Sequence, residues 1–431
     1  MDWYFILLII VAATFVAAII GYVILCLKNP NPSRPKRVTN KTGYVQAVGR
    51  NLYDKDGNLL LLKGVNLGNW FDQEFWMAVS SVGNFDTGVY TQKRGIEAMR
   101  ANPNITDGQI DKLEDIYLDT YVKETDFCEI ARLGFNCVRI NFTYLNLTEF
   151  GTTKLKKDAF KHLDWALEMC EKYNLYAILD LHGAFGSQNQ DIHSGDDSQF
   201  NLYSSEANMS ATCQLWREIA LRYKGRGIIA AYDLLNETRR APNKFTGRKQ
   251  FDFYNELYRV IREVDENRML IMECFTFPIH GVKESRYGWT NVCYSYHIYN
   301  LTPLSQKASL NFYKALHNLK RYDVPVYIGE WSCWGNEKEW YYSIEFFKKH
   351  GWSYSSWTYK TNCNLYKSGS KPWVLQKKMY VWGLFELDIP PVDLSTATFD
   401  EIASVWGATG TDKAKATLIH KIYQVENESN G

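Results

Sequence analysis

Ile228-Ile229-Ala230-Ala231-Tyr232-Asp233-Leu234-Leu235-Asn236-Glu237 is a short apolar run that closes on two polar residues. It reads as a strand over Ile228–Leu235. Seven further runs of the same kind follow one another along the chain: Leu61–Asn66, Asn136–Asn141, Tyr176–Leu181, Met269–Cys274, Cys293–His297, Val326–Glu330 and Ser353–Trp357. Helical patterns separate them. Lys157–Tyr173 puts Phe160, Leu163, Leu167 and Cys170 on one face, and Phe251–Val264 does so with Phe253, Leu257, Val260 and Ile261. Strands alternating with helical crossovers imply a parallel sheet. Eight of them imply an α/β fold closed as a (β/α)8 TIM barrel. An open doubly wound sheet is the alternative, but it would want a Gly-rich phosphate turn after a strand, and none occurs.

Outward from the strands, a lead-in hairpin is expected, with Asp56-Gly57 turning between Arg50–Tyr53 and Leu59–Lys63. Residues 361–407 read as a long excursion after the last strand, and Asp412–Gln424 as a closing helix. No internal repeat interrupts this order. Three segments result: a transmembrane anchor over 1–27, a Pro-rich, charged linker over 28–43 and a catalytic domain over 44–431.

The anchor rests on Trp3–Leu27, an uncharged apolar run of 25 residues. A bilayer-spanning helix needs about 20. A cleaved signal peptide would have a basic start and a shorter apolar region. Two signals on orientation conflict. Lys28, Arg34, Lys36, Arg37 and Lys41 follow the run, which by the positive-inside rule puts the domain in the cytoplasm. Against that, Asn-X-Ser/Thr triplets begin at Asn40, Asn104, Asn141, Asn146, Asn208, Asn236, Asn300 and Asn427. An outward-facing, single-pass membrane protein is the expectation.

A net charge of +1 gives nucleic acid no electrostatic footing. The nine cysteines include no CxxC pair and no Cys/His cluster, so no metal site is expected; most lie in apolar runs, where Cys packs as a small core residue. Aromatic residues make up 15% of the chain, with 14 Trp and 29 Tyr. They fill a large core or form platforms for the apolar faces of sugars.

In a barrel of this kind the C-terminal strand ends open into one site. The residues expected there are Arg139, His182, Asn236-Glu237, His297 with Tyr299, Glu330, and Trp357. Glu237 and Glu330 end the fourth and seventh strands and face each other across the mouth. Two such carboxylates suit double displacement at a sugar, one attacking and one exchanging the proton. Glu273 ends the fifth strand as a supporting carboxylate.

This set, in this order, resembles glycoside hydrolase family 5, over nearly all of residues 44–431. The resemblance implies a retaining β-glycosidase that needs no cofactor, with Glu237 as acid/base and Glu330 as nucleophile. Burial and a neighbouring carboxylate would raise the pKa of Glu237. Arg139 would keep Glu330 ionised. Tyr299 would hold Glu330, Asn236 would contact the sugar 2-hydroxyl, His182 and His297 would orient sugar or acid, and Trp357 would lie under the ring.

Lys63-Gly64-Val65-Asn66-Leu67-Gly68-Asn69-Trp70, with Glu74 after it, is similar to the opening of the family's exo-β-1,3-glucanases, as is Asp180 to Asn189. By that resemblance Glu74 binds the sugar in the cleaved position. Those enzymes carry Asp-Asn before a Ser-Gly pair, and this chain has Ile192-His193 before Ser194-Gly195, with Asp191 one residue earlier. Exo action by a monomer on a β-linked oligo- or polysaccharide is expected, on β-glucan or a related β-glycoside. An endo-β-glucanase or β-mannanase, a β-mannosidase and a non-catalytic carbohydrate-binding protein are the alternatives.

Overall fold

The structure, a computed structural model, describes residues 36–74, 76–83, 90–239, 248–274, 278–299, 305–364 and 381–428. Eight parallel strands close into a barrel: β1 Lys63–Asn66, β2 Cys137–Thr143, β3 Tyr176–Gly183, β4 Ile229–Asp233, β5 Met269–Glu273, β6 Val292–Tyr299, β7 Val326–Ser332 and β8 Ser353–Ser356. Each pairs with the next in sequence, and β8 closes on β1 through Tyr354–Lys63 and Ser355–Gly64. A Cβ on Gly64 would meet backbone of β8 and β2 at 3.2–3.3 Å and the Ser355 hydroxyl closer still, so glycine lets the seam close.

The two expected crossover helices form as Lys161–Lys172 and Arg248–Arg262. Between β1 and β2 the described residues hold three helices that the strand reading does not anticipate: Gln92–Ala101, Asp107–Tyr121 and Glu124–Arg132. Their starts carry local signals. Thr91 accepts from the Arg94 amide, and Thr106 forms a capping box with Gln109. This insert braces the loop that follows β1. Tyr117 donates to the Asn69 carbonyl, and Tyr121 to the Lys360 carbonyl at 2.6 Å.

The lead-in hairpin forms with Asn51–Tyr53 against Leu59–Leu60, and Gln46–Val48 adds a third strand. Gly57 turns it at φ 81°, and a Cβ there would strike the Val38 carbonyl. This small sheet floors the barrel: Val45, Leu52 and Leu62 pack with Cys137, Ile178, Ala230, Met269, Ile271, Cys293 and Tyr327 from the strand starts. Residues 36–43, the end of the expected linker, run along it, with Val38 donating to Gly57 at 2.8 Å and Leu59 to Lys36 at 3.0 Å.

Trp3–Leu27, the expected membrane span, lies outside the described residues. Among the described residues no helix is long and apolar enough to cross a membrane. The excursion after β8 is described in part. Lys360–Asn362 pairs with Phe385–Leu387, which pairs with Lys415–Ala416. That last pairing delays the closing helix, expected from Asp412, to Leu418–Glu428. Cys137, Cys170, Cys274, Cys293 and Cys333 are buried as core residues, and no described cysteine is in a disulfide.

Candidate active site

The centre of the site is a cation within the barrel. Arg139 was expected near a strand end, but β2 continues to Thr143 and Arg139 sits mid-strand, 0% exposed. Its Nε donates to Asp233 on β4 at 2.9 Å. One terminal nitrogen donates to Asn66 and to Glu330, both at 3.0 Å. The other donates to Asn236 at 2.9 Å and lies 2.9 Å from Asp180 on β3. One planar guanidinium thus binds residues from β1, β3, β7 and the β4 end, which the flexible point charge of lysine cannot do. Desolvation pushes the Arg139 pKa down, but Asp180, Asp233 and Glu330 outweigh it and hold the group charged.

The two glutamates meet across the mouth. Carboxylate oxygens of Glu237 and Glu330 and a ring nitrogen of His297 lie within 4.8 Å of one another. Glu330 takes its second bond from the Tyr299 hydroxyl, at 2.7 Å. Burial and Glu330 raise the Tyr299 pKa well above that of a free phenol, so it remains a donor. Two carboxylates and an imidazole could serve as metal ligands, but Glu330 already faces the guanidinium of Arg139, and the same oxygens would have to leave their donors to bind a cation.

Glu237 differs from expectation. Its carboxylate is 30% exposed. One oxygen bonds His297 Nδ1 at 2.8 Å, and the other lies 3.2 Å from His193 Nε2. Burial would raise its pKa, but His193 and His297 outweigh it and hold Glu237 below the ordinary carboxylate value, which favours the ionised form. The proton resides elsewhere. Burial lowers the His297 pKa, yet Glu273, Glu330 and Glu237 together raise it to about 10.

His182 and Trp357 form one wall, their rings stacked at 5.5 Å and 13°. A Cβ on Gly68 would come within 2.9 Å of the Trp357 ring, so a glycine after β1 admits this tryptophan. His182 is neutral: burial lowers its pKa well below normal. Its Nδ1 bonds Asp180 at 2.5 Å, and its Nε2 faces Asn236 Nδ2 at 3.3 Å. Asn236 is 1% exposed, so its Asn-X-Thr triplet is sealed inside the site. Glu74 is buried and accepts from Trp76 Nε1 at 2.6 Å. Trp76 in turn lies against Trp382 at 4.8 Å, and Trp382 against Tyr299 at 5.8 Å, so the excursion after β8 reaches the mouth. Asp191 pairs with Arg239 at 2.5 Å.

All nine residues expected in the site therefore gather in one region. Three others have roles in the site that the sequence does not announce. His193 stood out only as a departure from a pattern, not as a partner of Glu237. Glu273 was read as support, but its bond to the Glu237 amide has no sequence signature. Asp72 is the third. It is 3% exposed, and neither carboxylate oxygen has a hydrogen-bond partner among the described residues. Burial, with Asp180 nearby, raises its pKa well above normal. A carboxyl whose pKa is higher folded than unfolded loses stability as pH rises through that interval. Asp72→Asn is accordingly expected to stabilise the fold by roughly 1–3 kcal/mol at pH 7. The gain should shrink towards pH 4, where wild type is neutral there too. Thermal melts at the two pH values check this, and a variant no more stable than wild type at pH 7 would refute it.

A family model described as Cellulase (glycosyl hydrolase family 5) matches residues 99–362. A β-xylosidase of Phanerodontia chrysosporium is 30% identical over 264 residues, 60% of this chain and 52% of that protein. A glucan 1,3-β-glucosidase of Blumeria graminis is 28% identical over 288 residues, 64% and 66% of the two. The chain thus spans about half to two thirds of the length of these curated relatives. The crystal structure of a rutinosidase from Aspergillus niger superposes with a TM-score of 0.58 at 18% identity, covering 70% of this chain and 91% of that one. At that identity the likeness bears on the fold alone.

Proposed function

This chain belongs to glycosyl hydrolase family 5; from that premise we propose that it is an O-glycosyl hydrolase, an exo-acting, retaining β-glycosidase that frees a terminal sugar from a β-linked glycan. The observation that carries the retaining part of this reading is the closeness of Glu237 and Glu330, whose nearest oxygens lie within 4.8 Å. Retaining pairs stand about 5–5.5 Å apart, whereas inverting pairs leave about 6.5–9.5 Å for a water between them.

Glu330 attacks the anomeric carbon while Glu237 protonates the leaving oxygen, giving a covalent glycosyl–enzyme. Glu237 then takes a proton from water as that water displaces Glu330. His193 and His297 favour the ionised form of Glu237, so it must gain a proton before the first step. A bound glycan covers its exposed edge, removes water from the charge and raises its proton affinity. His297, 2.8 Å away, is the nearest proton source. Asn236 accepts from Arg139 and spends one Nδ2 hydrogen on His182, which leaves its second for the sugar 2-hydroxyl. Trp357 supplies the floor and Glu74 a hydroxyl contact in the cleaved position.

Two features support exo action. His193, on the turn after β3, reaches Glu237, and Trp382 reaches Tyr299, so loops narrow the cleft from two sides. The relatives support a terminal β-glucose or β-xylose. Trp3–Leu27 supports a membrane tether, and exposed Asn104 and Asn427 in Asn-X-Ser/Thr triplets support an extracellular domain.

The test presents the chain with aryl β-glucoside, β-xyloside and β-mannoside, and with laminarin, cellulose and mannan. Release of single units, with the β-anomer formed first by NMR, is expected. An α-anomer first would overturn double displacement. Internal cleavage of a polymer would overturn exo action.

A further inference from the structure

A third carboxylate holds the turn that carries Glu237. Glu273 ends β5 and is 3% exposed. One of its oxygens accepts the backbone N–H of Glu237. Glu237 has φ 40°, in the left-handed region that a residue with a side chain enters only under constraint. A buried carboxyl oxygen that accepts this amide is such a constraint, because losing it would leave the N–H unpaired inside the protein. The other oxygen of Glu273 lies 3.6 Å from His297 Nδ1, the same nitrogen that bonds the Glu237 side chain at 2.8 Å. Glu273 therefore acts on Glu237 directly through the backbone and indirectly through a shared imidazole. Its own position is secured from the crossover helix Arg248–Arg262: the Tyr254 hydroxyl lies 3.2 Å from its amide and 3.3 Å from its carbonyl, and Gln250 also donates to that carbonyl at 3.3 Å.

We infer that Glu273 is a positioning residue for Glu237: it holds the backbone turn that aims the acid, and its charge, set against His297, governs how firmly Glu237 keeps its proton. This rests on the reading of Glu237 as acid/base. The titratable and charged groups around the pair are Glu74 after β1, Arg139 on β2, Asp180 and His182 on β3, Asp191 and His193 on the turn after β3, Asp233 on β4, the Cys274 thiol after β5, His297 and Tyr299 on β6, Glu330 on β7, and the phenols of Tyr203, Tyr254 and Tyr313. Within this set Glu273 is the carboxylate that bonds the Glu237 backbone. Burial raises its pKa to about 8, with His297 pulling it down and Glu237 pushing it up. As Glu273 ionises, its negative charge raises the proton affinity of both His297 and Glu237. The acid thereby stays loaded to higher pH, and removing that charge moves the loss of acid function to lower pH.

The experiment uses the full chain as wild type, Glu273→Gln and Glu273→Ala. It measures kcat and KM from pH 4 to 9 on a phenyl β-glycoside, whose departure needs an acid, and on the 2,4-dinitrophenyl analogue, whose departure does not. Gln keeps an oxygen for the Glu237 amide but loses the charge. Its basic limb on the phenyl substrate should fall by about one pH unit, with the dinitrophenyl profile unmoved. Ala also loses the grip, and its kcat on the phenyl substrate should drop roughly 100-fold at near-constant KM, with a less than tenfold loss on the dinitrophenyl substrate. A Gln profile that superimposes on wild type overturns the inference. So does an Ala variant that loses equally on both substrates. Should Ala fail to fold, the Gln profile decides. Glu237→Ala is measured alongside: if its rate loss does not depend on the leaving group, the acid/base reading fails instead.

Discussion

Replacing Glu330 with glycine is expected to abolish turnover of an unactivated β-glycoside, by ~10^4-fold or more, because covalent catalysis loses its nucleophile. The same variant should recover turnover of an activated aryl glycoside when azide is added. The structure says why the anion would enter. The space vacated by the carboxylate is bounded by the Arg139 guanidinium, 3.0 Å from the lost oxygen, and by the Tyr299 hydroxyl, 2.7 Å from its partner. One N–H of Arg139 and the Tyr299 hydroxyl would lose their acceptor in a buried place, and a small anion satisfies them. Azide attacking from the side of Glu330 yields an α-glycosyl azide. A β-glycosyl azide would exchange the roles of the two glutamates, and no rescue at all would remove Glu330 from the reaction. Product NMR distinguishes the three.

The second large effect concerns stability as much as chemistry. Arg139→Met leaves Asp180, Asp233 and Glu330 buried without their cation. Stranding one partner of a buried ion pair costs roughly 3–5 kcal/mol, and three partners share this one. Burial raises Asp180 to about 6 and Asp233 to about 7 even with the arginine present. Without it both move higher, so the folded state takes up protons that the unfolded chain does not. Stability is then lost as pH rises through the interval. The variant is expected to unfold at a lower denaturant midpoint at pH 8 than at pH 5, with the gap from wild type widest at pH 8. Arg139→Lys should recover little, because one ammonium cannot reach acceptors on so many strands. A midpoint equal to wild type at both pH values would refute this account of the barrel interior.

Much of this was legible before any coordinates. Each barrel strand is a short apolar run between helical patterns, and all eight fall within two residues of the expected bounds. The polar residues at their ends were visible for the same reason: an Asn-Glu or Gly-Glu stands out where apolar strands stop. The insert between β1 and β2 was not read, although Thr91 and Thr106 cap it recognisably, because no strand frames those helices one by one. Contacts between loops were also hidden. His193 approaches Glu237 only once the turn after β3 folds over the mouth, and together with His297 it overturns the expected rise in the Glu237 pKa. Asp72 and Glu74 both follow β1 and look alike in the chain. One finds an indole N–H, and the other finds no donor among the described residues.

The floor sheet has a consequence for traffic. Residues 36–62 enter the molecule beneath the barrel, on the side of the strand starts, while Glu237 and Glu330 open at the other end. Whatever holds the chain ahead of residue 36 therefore holds it by its base. A copy fixed to a surface through that end turns its mouth towards incoming glycan and away from its support. Dense arrays of such copies would stand side by side with their openings clear, whereas capture through the loops near Trp76 and Trp382 would blind each one.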